Sequence, residues 1–245
     1  MPDVKRIAMW SGPRNISTAL MRSWGSRPDT VVVDEPLYSH YLVHTGFTHH
    51  PEWDLIIRHH ESDWQKVVET LLAPLPQNKT VFYQKHMAHH LFDHMSLDWT
   101  EQLVNVFLIR DPRDMLLSLS EFFPQPAIEE TALPQQVNLF RREQQRTGKT
   151  PAVIDSRDVL LNPHGLLEQL CEAVGVDFDP CMLTWEAGPR DTDGIWEKHW
   201  YSNVIESTSF GNYRPKMADV PPHLQELYAE CQALYDELAA HKLMP

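Results

Sequence analysis

Two short stretches of the 245-residue chain carry side chains suited to gripping an anion. The first, SGPRNISTAL (residues 11–20), places Gly12, Arg14, Asn15, Ile16, Ser17 and Thr18 between a strand-like run and a helix-like run. Such a turn offers unpaired backbone N–H groups at the positive end of a helix dipole, a common setting for bound phosphate or sulfate. Taken alone it is equally an ordinary helix start capped by Asn15 or Ser17. The second stretch is IRDPRDMLLS (residues 109–118), in which Arg110 closes an apolar run and Ser118 follows eight positions later, about two helical turns on. An arginine there supplies a bidentate fork for a phosphate, and the serine hydroxyl can donate to the same group. The plainer reading pairs Arg110 with Asp111 or Asp114.

Two further residues are placed to handle a proton. Glu35 in VVVDEPLY comes directly after the strand-like TVVVD, and His86 in VFYQKHMAHH follows TVFYQ with Lys85 beside it. Either is a candidate general base if it comes within about 2.6–3.2 Å of a substrate hydroxyl; Glu35 is slightly preferred. His86, His90 and His94 recur every four residues, which predicts three imidazoles on one helical face and raises the question of zinc. H-E-x-x-H is absent and no cysteine lies nearby, so no metal is expected and the face reads as polar or substrate-facing.

The elements that must position these residues are legible from periodicity. Runs at 4–10, 30–34, 80–84, 104–109 and 151–155 are short and apolar, as in strands covered on both faces, and they are separated by helix-patterned segments. Asp111 and Pro112 mark one helix start, Asn162 and Pro163 another, and Gly175 a helix end. Residues 224–238 carry an apolar stripe that predicts a packing helix. The alternation predicts an α/β fold with a central mostly parallel sheet, helices on both faces and ligands at the carboxyl ends of the strands. Residues 36–78 and 185–220 break the alternation and are expected to cover the site. Tyr38, Tyr41, Phe47, Trp53 and Trp64 there suit a partly apolar small-molecule acceptor as well as they suit packing.

Composition narrows the classes further. With 34 acidic against 21 basic residues the formal net charge is −13, which argues against a nucleic-acid partner. The apolar runs are far shorter than the roughly 20 residues of a membrane helix. The N-terminal sequence lacks a leader pattern, and Cys171, Cys181 and Cys231 form no framework, so a reducing, cytoplasmic setting and no membrane association are expected. One domain over residues 1–245 is the expectation.

The ordered set of motifs resembles the sulfotransferases that use 3′-phosphoadenosine-5′-phosphosulfate (PAPS), a branch of the P-loop fold. PRNISTAL (residues 13–20) is similar to that family's 5′-phosphosulfate loop, with Arg14 at the lysine position and Ser17 and Thr18 at the hydroxyl pair. IRDPRDMLLS matches its 3′-phosphate motif, and residues 153–175 look like its later strand and helix. The resemblance implies a P-loop NTPase-like three-layer fold and transfer of a sulfuryl group to a hydroxyl, or an amine, of a small acceptor. It gives Asn15, Ile16, Ser17 and Thr18 with Arg14 to the 5′ end of PAPS, and Arg110 and Ser118 to the 3′-phosphate. On this resemblance Arg14 is also expected to stabilise the departing phosphate oxygen, with Glu35 or His86 as the candidate base. Departures are Arg14 for lysine, Ile16 for glycine, Ser156 for an adenine-contacting tyrosine, and no late basic motif. The rival readings are a P-loop small-molecule kinase, weakened because Ile16 and Ser17 stand where a Walker A loop has its second glycine and lysine, and a non-catalytic nucleotide- or anion-binding protein of the same fold.

Overall fold

In the computed structural model, which describes residues 4–244, the segments read as strands form a single five-stranded parallel sheet in the order β2-β3-β1-β4-β5. The strands are β1 (Lys5–Ser11), β2 (Thr30–Asp34), β3 (Val81–Met87), β4 (Val104–Ile109) and β5 (Ala152–Asp155). The helices are α1 (Ser17–Gly25), α2 (Tyr38–Thr45), α3 (Trp53–His59), α4 (Trp64–Leu72), α5 (Pro112–Leu119), α6 (Leu133–Thr147), α7 (Ser156–Leu161), α8 (Pro163–Val174), α9 (Glu197–Trp200), α10 (Ser202–Ile205) and α11 (Gln225–Ala239).

Side-chain alternation along the strands builds two cores. Ala8, Trp10, Phe82, Phe107 and Val153 face α4, α6 and α11 through Val67, Leu71, Val137, Phe140 and Leu238. Ile7, Met9, Tyr83, Val106 and Ile154 face α1 and α8 through Leu20, Trp24, Leu167 and Leu170. The result is a three-layer α/β fold of the P-loop-like kind.

The expected helix signals act as anticipated. Asp111 accepts from Arg113 N at 2.9 Å, Pro112 opens α5, Asn162 accepts from Gly165 N at 3.0 Å, and Gly175 ends α8 at φ 72°. Cys171 and Cys231 are buried, Cys181 is half-buried, and all three are unpaired. Among the described residues no helix is long and apolar enough to cross a membrane.

Two expectations change. The third strand runs on to Met87, so Lys85 and His86 lie within it and not after it. The segment carrying His86, His90 and His94 is strand, then a 3-10 turn (Ala88–His90), then loop, so the three imidazoles do not share a helical face. Among the described residues no group of three or more His, Cys, Asp or Glu is arranged to hold a metal ion.

From β1 the chain leaves toward β2, whereas from β4 it leaves toward β5, so the connections diverge between these neighbours. That divergence opens a crevice at their carboxyl ends. The loop after β1 carries Arg14, and Arg110 follows β4 directly.

Candidate active site

Gly12 begins the first loop because the backbone passes too close to its neighbour for a side chain: a Cβ would stand 2.6 Å from the Thr131 carbonyl oxygen. Arg14 then takes a left-handed conformation at φ 58°. Such a backbone is disfavoured for a residue with a Cβ and concentrates at functional turns. Asn15 Oδ1 accepts from Ser17 N at 3.0 Å, closing the turn into α1, whose first turn holds no acidic residue.

The second motif meets the first. The Arg110 guanidinium donates to the Arg14 carbonyl, and Arg14 Nε donates to Ser118 Oγ at 3.0 Å. The Arg14 guanidinium also lies 4.8 Å from the centroid of the Phe122 ring. Among the described residues neither arginine forms a salt bridge: Asp111 is spent on capping α5, and Asp114 accepts from Tyr213 OH and Lys216 N, each at 3.3 Å. Burial lowers the proton affinity of both guanidiniums, and each is lowered or raised further by charged neighbours, Glu121 and Arg110 for Arg14 and Asp114 for Arg110. Two half-buried cations without carboxylate partners, at a helix N-terminus in a chain of net charge −13, form a site suited to a multiply charged anion.

Glu35 sits across the same cavity, which has a volume of about 440 Å³ and is also lined by Arg14, Asn15, Ile16, Ser17, Thr18, Arg110 and Ser118. It too has a positive φ, 41°, and its N–H is held by the Lys85 carbonyl at 2.9 Å. Lys85 is fully buried and donates to Glu35 Oε1 at 2.6 Å, Asp34 Oδ1 at 2.7 Å and Tyr201 OH at 2.7 Å. Tyr201 OH in turn donates to Asp34 Oδ2 at 2.7 Å and accepts from Trp196 Nε1 at 3.0 Å. Burial raises the Glu35 pKa above the ordinary carboxylate value against the opposing pull of Lys85, and Asp34 adds to the rise. Among the described residues Oε2 of Glu35 has no hydrogen-bond partner, which leaves it available to a ligand in the cavity.

His86 is turned away. Strand alternation sends it to the opposite face of the sheet from Lys85, where it stacks on Trp10 at 4.4 Å between ring centroids and contacts Gln84 Oε1 at 3.2 Å. It does not line the cavity, and burial lowers its pKa to about 3. The cavity instead exposes His89 and His90. Lys216, in the late segment that lacks the family's basic motif, is paired with Glu121 at 2.7 Å. Sequence reading passed over Tyr201, Trp196 and Trp200, which reach the cavity from the 185–220 segment, while Tyr38, Tyr41 and Phe47 reach it from the 36–78 segment. The missed signal was an aromatic cluster within a stretch otherwise lacking periodicity.

Residues 5–241 match a family model described as a sulfotransferase domain. Two Arabidopsis thaliana proteins, the branched-chain-amino-acid aminotransferase-like proteins 1 and 2, are 33% identical over 241 residues and 32% identical over 235 residues. The matches cover 98% and 96% of this chain but 43% and 41% of those proteins, so the chain spans less than half the length of these curated relatives. The sulfotransferase domain of the Synechococcus PCC 7002 olefin synthase superposes with a TM-score of 0.59 at 15% identity, covering 100% of this chain and 98% of that one. A sulfotransferase from Alicyclobacillus acidocaldarius gives 0.51 at 14% identity, covering 98% of each chain. At these identities the likeness is one of fold.

Proposed function

Because the chain belongs to the sulfotransferase family, we propose that it transfers a sulfuryl group from PAPS to a hydroxyl of a small-molecule acceptor. The observation that carries this reading is the direct contact of the two arginine motifs, which gathers two guanidiniums, the Ser118 hydroxyl and the acid-free N-terminus of α1 in one cavity. In this reading the residues from Arg14 to Thr18 hold the 5′ end of the donor, and Arg110 and Ser118 hold its 3′-phosphate. The donor supplies an activated sulfuryl group on a good leaving phosphate.

The chain's own part is positioning and electrostatics. The acceptor oxygen forms a bond to sulfur while the bond from sulfur to the 5′-phosphate oxygen breaks. The acceptor proton passes to Glu35 Oε2, and the products are the sulfate ester and adenosine 3′,5′-bisphosphate (PAP). Arg14 and the loop N–H groups stabilise charge on the departing phosphate oxygen. Lys85 fixes Glu35 through Oε1, and burial keeps that carboxylate basic enough to accept the proton. Both oxygens of Asp114 accept hydrogen bonds within the fold, from Tyr213 OH and Lys216 N, and Asp111 Oδ1 caps α5, which disfavours a kinase reading built on this pair of carboxylates.

The test is a thermal-shift comparison of PAP with magnesium-ATP. At about 100-fold excess over its dissociation constant, PAP should stabilise the protein by about 2.7 kcal/mol, with a smaller response to magnesium-ATP. A preference for magnesium-ATP would overturn the reading.

A further inference from the structure

The cavity is chemically two-ended. The arginines and the α1 N-terminus lie at one end. From Phe122, on which the Arg14 guanidinium rests, a continuous aromatic wall leads away: Phe122 to Trp200 (5.0 Å between ring centroids), Trp200 to His50 (5.5 Å), His50 to Tyr38 (5.3 Å), Tyr38 to His90 (5.0 Å) and His90 to Tyr41 (4.8 Å). Glu130 also lines the cavity, and its charge helps burial to push the Tyr41 hydroxyl up to about 12. Glu35 opens the turn into α2, its carbonyl accepting from Tyr38 N at 3.0 Å. The far end therefore combines aromatic faces with two carboxylates.

No free positive charge balances them among the described lining residues at that end. Lys85 has its donors committed to Asp34, Glu35 and Tyr201. Burial lowers His50 and His89 to about 4 and holds His90 well below the ordinary imidazole value, so burial disfavours a charge on any of the three. His90 is 1% exposed, and its Nδ1 has no hydrogen-bond partner although it lines the cavity. The rings of this cavity already receive cations from the chain itself: Arg14 over Phe122 at 4.8 Å and Lys85 over Tyr201 at 5.0 Å.

Within the sulfotransferase reading, on which this inference rests, we infer that the acceptor is a cationic alcohol. Its ammonium group lies on the aromatic wall toward Glu130, and its hydroxyl meets Glu35. A neutral phenol would gain the ring contacts but leave the Glu130 carboxylate unanswered. An anionic acceptor would meet two carboxylates. Desolvated aromatic faces favour ammonium ions, and a nearby carboxylate adds to the preference.

The experiment is isothermal titration of the PAP-loaded protein with choline and with 3,3-dimethylbutan-1-ol, which has the same shape without the charge. Choline should bind about tenfold more tightly or better. In Glu130→Gln the advantage should shrink to about threefold or less. The amide oxygen of that variant can keep the bond that Glu130 Oε2 accepts from Ala127 N at 2.7 Å, so the loop is preserved. Equal affinity for the two alcohols, tighter binding of the neutral one, binding of neither, or an advantage unchanged in Glu130→Gln would overturn the inference. PAP binding is measured first and judges the donor reading by itself; if PAP fails to bind, the same pair titrated into the unloaded protein still decides the charge preference of the wall.

Discussion

Removing the Arg110 guanidinium takes away the donor that holds the Arg14 carbonyl and, in the proposed donor site, a charge for the nucleotide. Charge-assisted hydrogen bonds contribute about 1.5–3 kcal/mol each, so Arg110→Ala should raise the dissociation constant for PAP at least about tenfold, read by calorimetry. Unchanged affinity would remove this residue from the donor site. Glu35→Gln separates binding from chemistry. It should leave PAP affinity close to that of the parent and lower kcat by about 10²–10⁴-fold, the usual contribution of a general base. The sign of the pH dependence follows from the raised Glu35 pKa. As the proposed base, Glu35 would work when deprotonated, so activity should fall as pH is lowered through a pKa above the ordinary 4.5, and Glu35→Gln should abolish that acidic limb in a kcat profile. His86→Phe should leave the same limb in place, because that imidazole stacks on Trp10 outside the cavity.

At the scale of elements, the edge of the sheet is held by an ammonium buried between two carboxylates. Lys85→Met would leave Asp34 and Glu35 facing one another without their shared cation. Breaking a buried pair this way costs about 3–5 kcal/mol, which thermal or urea denaturation would register; a loss below about 1 kcal/mol would mean that solvent reaches the cluster. The same cluster explains what could be read beforehand. The run VNVFLI marked β4 because five of its six residues are apolar, and β3 read short because a lysine and a histidine follow TVFYQ. Here a lysine continues a buried strand because carboxylates at the end of β2 and just after it, Asp34 and Glu35, answer it, and those contacts are not encoded locally. Tyr201 is separated from Lys85 by 116 positions, so no window of sequence contained both. The two arginine motifs were legible for the opposite reason: each is a strand end followed by a helix start, with chemistry and geometry in the same ten residues. The four-residue histidine spacing misled because periodicity implies a face only if the segment is helical, and here it passes through strand, turn and loop.

For the whole molecule, the decisive relation is between the sheet and the segment that closes the cavity from residue 185 onward. Arg22 of α1 and Asp193 are both 1% exposed and meet at 2.6 Å, tying that segment to the helix whose N-terminus lines the proposed anion site. Asp193→Ala should cost about 3–5 kcal/mol in stability by stranding a buried guanidinium. It should also raise KM for the acceptor more than it raises the dissociation constant of PAP, because Trp196, Trp200 and Tyr201 line the cavity whereas Arg14 and Arg110 are held by other contacts. A parallel rise in both constants would indicate that the two ends of the cavity collapse together.

The phenol of Tyr201 shares the Lys85 ammonium with Glu35, so the dry surroundings of that carboxylate are completed by a residue 116 positions farther along the chain than Lys85. In the proposed reaction a change that unseats Tyr201 would wet Glu35 and make it a weaker proton acceptor without touching either arginine.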